Sequence, residues 1–83
     1  MMFILNEAIY SGTVVLNNNI SGIEAKDFSD AIQKVKQFKS FKEGKSNVIT
    51  ENDNEFIFSI MQEKSSYYSV MGTLKNEELK VYQ

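Results

Sequence analysis

Asp27-Phe28-Ser29-Asp30-Ala31-Ile32-Gln33-Lys34-Val35-Lys36-Gln37-Phe38 is the stretch that decides the fold class. Asp27, followed three residues later by Asp30, reads as an N-cap with an acid in the first turn. Phe28, Ala31, Ile32, Val35 and Phe38 then fall at i, i+3, i+4, i+7 and i+10, one apolar stripe of a helix that must pack on something. The expectation is a helix from Phe28 to Glu43. Lys39, Lys42 and Lys45 gather where they would complement the negative pole of its dipole, and Gly44 is expected to stop it in the left-handed conformation.

Downstream of the helix the periodicity changes to that of strands. Asn47–Thr50, Phe56–Gln62, Tyr67–Leu74 and Glu78–Tyr82 read as a meander, with turns at Asn52-Asp53-Asn54 and Lys64-Ser65-Ser66. Phe56, Phe58 and Ile60 share one face of their strand while Ile57 and Met61 share the other, which suggests a central strand covered on both sides. Leu79 and Val81 alternate with polar neighbours, the pattern of a half-exposed edge open to pairing.

Upstream, the short apolar pieces 3–5, 8–10, 13–16 and 20–25 read as two or three strands, the first of which could instead be helical. Asn17-Asn18-Asn19 is read as a hairpin turn, because Asn tolerates positive φ. The resulting fold class is α+β: a single helix packed on an antiparallel β-sheet in the order β(2–3)-α-β(4), forming one domain over residues 1–83.

Composition limits the chemistry. A chain of 83 residues holds one modest core, and with no cysteine or histidine neither disulfides nor the usual zinc ligands can reinforce it. The lack of histidine also removes the usual base of a serine or cysteine triad. Arginine is absent too, so the bidentate fork that commonly reads phosphate or guanine is missing. Met1–Leu5 is too short and uncharged to be a signal peptide, and no run approaches the ~20 apolar residues of a membrane span, so the expected setting is cytoplasmic, away from membranes. The Asn19-Ile20-Ser21 sequon then has no context.

Four groups of residues remain candidates for function. Glu24, Asp27 and Asp30, and the pair Glu77-Glu78, could offer paired carboxylates, but a solvated cap and a solvated turn explain them better. Glu51, Asp53 and Glu55 imitate the opening of a calcium loop, yet Phe56 and Gln62 stand where that loop needs glycine and a bidentate glutamate. No catalytic residue, metal or cofactor is therefore assigned. Lys34, Lys36, Lys39, Lys42 and Lys45 face a single acid, Glu43, between Ala31 and Lys45. Because these lysines flank the apolar stripe on both sides, nucleic-acid binding is the less favoured partner class.

Tyr10, Tyr67, Tyr68 and Tyr82, with Phe41 off the helical stripe, form an aromatic surplus of the kind that anchors protein interfaces. The expectation is a non-catalytic protein-interaction module that binds another protein or closes a homodimer through the aromatic sheet face or the last strand's edge. Its small size and its Lys-, Asn- and Ile-rich composition suit an inhibitor of a host defence protein carried by a phage or mobile element.

Overall fold

The computed structural model describes residues 1–61 and 68–78. Two strands, two short helices and three strands follow one another: β1 (Met2–Ser11), β2 (Val14–Glu24), α1 (Phe28–Lys36), α2 (Lys39–Glu43), β3 (Lys45–Glu51), β4 (Glu55–Met61) and β5 (Tyr68–Glu78). They build one antiparallel sheet in the order β2-β1-β5-β4-β3. The α+β class stands, and the order of elements is corrected to two strands, two helices and three strands among the described residues.

The N-terminal pieces merge into one long hairpin. Gly12 carries the only positive φ among the described residues, at 60°, and with Thr13 it makes the two-residue loop between β1 and β2. Positive φ at the first loop residue alone is the pattern of a II′ turn, which glycine enters without a Cβ penalty. The Asn triplet is not the turn. Asn17, Asn18 and Asn19 lie within β2 opposite Ile9, Ala8 and Glu7, and Leu16 is the extra residue of a bulge that separates Asn17 from Val15. An outer strand leaves polar side chains in water, so three asparagines can be accommodated there.

The expected single helix is also corrected. Asp27 caps α1, its Oδ1 accepting the Asp30 N–H at 2.8 Å, and Asp30 Oδ2 accepts the Lys26 N–H at 3.1 Å in return. Phe28, Ala31, Ile32 and Val35 are buried as the stripe requires, but the helix ends at Lys36 and Phe38 turns extended as the N-cap of α2. The break rotates Phe41 inward, where its ring meets Phe58 edge-on at 5.4 Å and Phe56 at 6.3 Å. Phe38 is left 36% exposed. Gly44 does not adopt the left-handed conformation; its φ is −83°, and a Cβ there would stand 2.6 Å from Ile60 Cγ2 and from Ser40 O.

The core is a single layer between these helices and one face of the sheet. Phe3, Leu5, Ile23, Phe56, Phe58, Ile60 and Leu74 point up from the strands to meet Phe28, Ala31, Ile32 and Val35. Gly72 lies directly opposite Phe58 in the β4–β5 ladder, and the Phe58 ring lies across it, where any side chain would collide. β4 is an inner strand, paired with β5 and β3 as expected, but nothing among the described residues covers the face that carries Ile57 and Met61. The turn at 52–54 forms as expected, Asn52 Oδ1 accepting the N–H groups of Asn54 at 2.8 Å and Glu55 at 2.9 Å. The turn expected at 64–66 and residues 79–82 of the expected separate last strand lie outside the described residues; the break expected between Leu74 and Glu78 is absent, because β5 runs on to Glu78. No described helix is long and apolar enough to cross a membrane.

Candidate functional site

Paired residues in an antiparallel ladder share a face, so the register fixes what the uncovered side of the sheet presents. Three consecutive rows cross all five strands. They read Val15–Tyr10–Ser69–Met61–Lys45, then Asn18–Ala8–Met71–Ser59–Asn47, then Ile20–Asn6–Thr73–Ile57–Thr50. Lys45 is the single charged residue among these positions, and it stands at the β3 rim. Charge appears in the next row, where Glu55 faces Lys75 across β4 and β5. Met71 and Met61 are 38% and 56% exposed, and Ile4, Ala8, Tyr10 and Ile57 are half-buried by their neighbours alone. Five strands at about 4.8 Å spacing and about 20 Å of strand length make a patch of roughly 500 Å². Seven of its fifteen positions are apolar and eight are polar, so inside the rim the patch is uncharged rather than apolar.

The aromatic candidates separate. Tyr10 belongs to this face. Tyr68 pairs with Ser11 and shares the helix side of the sheet with Val70 and Leu74, where it is largely exposed at the far end of β5. Phe41 is engaged inside the fold against Phe56 and Phe58. Tyr67 and Tyr82 lie outside the described residues. Ile4, Ala8 and Met71 belong to the face but escape a search for aromatics; the alternation Ile4–Asn6–Ala8–Tyr10 was the signal that could have found the first two.

The helix lysines do not form one band. Lys34 Nζ donates to Glu24 O at 2.7 Å and stands 3.6 Å from Asp30, while Lys36 pairs with Glu51 at 2.5 Å and lies 5.5 Å above the Phe56 ring. Lys39 and Lys42 are exposed on α2, and Lys45 begins β3.

The carboxylates are similarly engaged. A shallow open depression of about 820 Å³ lies between the start of α1 and the β3–β4 turn, with Asp27, Glu51 and Asp53 on its wall. The Asp27 carboxylate caps α1 and that of Glu51 pairs with Lys36. The Lys26 N–H, with help from the Lys34 charge, holds the Asp30 carboxyl below its ordinary value, the state of a cap rather than of a proton donor. Among the described residues no three acids gather as a metal site would require. Comparison of the chain with protein-family models, with curated proteins and with solved structures finds no match.

Proposed function

We propose that this protein is a non-catalytic binding module that occupies an uncharged surface of another protein through the uncovered face of its sheet. The observation that carries the reading is the charge pattern of that face: three successive five-residue rows with a lysine only at the rim. Interface centres are depleted of charge in the same way, with methionine and tyrosine enriched. The partner's matching surface is accordingly uncharged at its centre. Nucleic acid is disfavoured by the same pattern, and Lys34 and Lys36 are held by acids and a carbonyl oxygen of the chain itself.

A module of this kind acts by occupation. That mode suits an inhibitor which blocks a host defence protein on behalf of a phage or mobile element. The test is affinity capture from a bacterial lysate with the native chain and with Met71→Glu and Tyr10→Ser, followed by oxidative footprinting of Met61 and Met71 in the complex. Capture of one stoichiometric protein, lost in both variants at unchanged melting temperature and with both methionines protected, is expected. Capture that survives both substitutions, or a captured nucleic acid released by moderate salt, would overturn the reading.

A further inference from the structure

β2 is an outermost strand of the sheet among the described residues, and apart from the bulge at Leu16 it is lightly protected as an edge. From Val14 to Ile23 it holds no charge and no proline, and Val14 through Gly22 are all exposed. Sheet edges are ordinarily guarded by lysine, proline or an inward charge, because the outward N–H and C=O groups of an outer strand are a template for another strand. β3, the opposite edge, is shorter and carries a charge at each end, Lys45 and Glu51, where the longer β2 has only Glu24 at one end.

The order of residues along β2 names the strand that fits. Reading outward from Asn18 in both directions gives Asn17 and Asn19, then Leu16 and Ile20, a sequence symmetric in character about its centre. We propose that two copies of this chain pair antiparallel through β2, about a twofold axis at Asn18. In that register Asn18 faces its own copy, Asn17 faces Asn19 of the second copy, and Leu16 faces Ile20 of the second copy at both ends.

The pairing accounts for two exposures that the isolated fold leaves open. Ile20 is 70% exposed and Leu16 53%, the first being the most exposed large apolar side chain among the described residues. Ile20 lies on the uncovered face, as its pairing with Asn6 shows, and the bulge leaves Leu16 without a partner on β1. Cross-strand contact would bury each against the other. The same register sets Glu24 against Gly12 of the second copy, so no like charges meet.

A twofold axis normal to the sheet keeps both uncovered faces on one side, giving one ten-stranded sheet. One copy presents roughly 500 Å², short of the ~800 Å² that one side of a standard interface requires, whereas two contiguous copies exceed it. This last consequence rests on the binding face proposed above; the pairing itself does not.

Light scattering on the purified chain tests the pairing directly, and a doubled mass that falls to the single-chain value in Ile20→Lys is expected. Because the native chain lacks cysteine, Asn18→Cys gives a lone thiol that should form an intermolecular disulfide under mild oxidation much faster than Asn47→Cys at the other edge. A native chain of single mass, or equal crosslinking rates for the two cysteine variants, would overturn the pairing. Loss of partner capture in Met71→Glu with the doubled mass retained would show that face and edge are separate surfaces. A doubled mass lost in Met71→Glu and kept in Ile20→Lys would mean that copies associate through the face, and the edge proposal would fail.

Discussion

Single residues carry sharply different weight in this molecule, and Gly72 carries more than its size suggests. The Phe58 ring replaces the side chain that Gly72 lacks, so Gly72→Ala forces that ring out of the core and should cost roughly 1–3 kcal/mol, read as a lower urea midpoint at unchanged slope. Glu7 is the opposite case. Set on the helix side of β1 opposite Gly72 and Asn19, its half-buried carboxyl is pushed up by desolvation. An acid with a folded value above its unfolded one holds its proton more tightly when folded. Stability therefore falls as pH rises from the ordinary glutamate range through the raised value, and stays reduced above it. Glu7→Gln should accordingly raise the urea midpoint at pH 7, and the advantage should vanish below about pH 4. Neither effect is visible in the sequence, since each depends on which residue stands across a ladder whose register only the folded chain defines.

Elements were legible where one local rule dominated. The Asp27–Asp30 cap and the Phe28–Val35 stripe of α1, the Asn52 turn and the alternation of β4 each follow from chemistry within a few residues of chain. The misreadings arose where tertiary contacts outweighed local preference. No glycine or proline marks the break after Lys36, which instead brings Phe41 onto Phe56 and Phe58 in place of Phe38. Phe41→Ala should therefore destabilise by roughly 2–3 kcal/mol, while Phe38→Ala, on the expected stripe but outside the core, should change stability by less than about 1 kcal/mol. Thermal melts of the pair would discriminate the broken helix from a continuous one, which reverses the ranking. The Asn triplet misled for a related reason: glycine at position 12 makes the turn better, and an outer strand tolerates asparagine.

At the scale of the whole molecule, the helices cover one face of the sheet, and no described residue covers the other. The alternation that hides Phe3 and Leu5 also directs Ile4, Ala8 and Tyr10 outward, so part of the contact face could be read from β1 alone. Its assembly into rows could not, because the strand order β2-β1-β5-β4-β3 places residues from both ends of the chain side by side. That order also bears on how the molecule forms. β1–β2 and β3–β4 are each hairpins of neighbouring strands, but the two halves join only through β5, which follows both in the chain and pairs with β1 from the far end of the sequence. Closing that long loop is the slow, entropy-limited event in such a topology. Leu74→Ala, in the joining strand, should mainly slow refolding, whereas Phe41→Ala should mainly speed unfolding, a contrast that stopped-flow chevrons would reveal. Until β5 arrives, each half exposes an inner strand with nothing beside it, so the same central strand that completes the sheet also ends the interval in which these chains are most prone to aggregate.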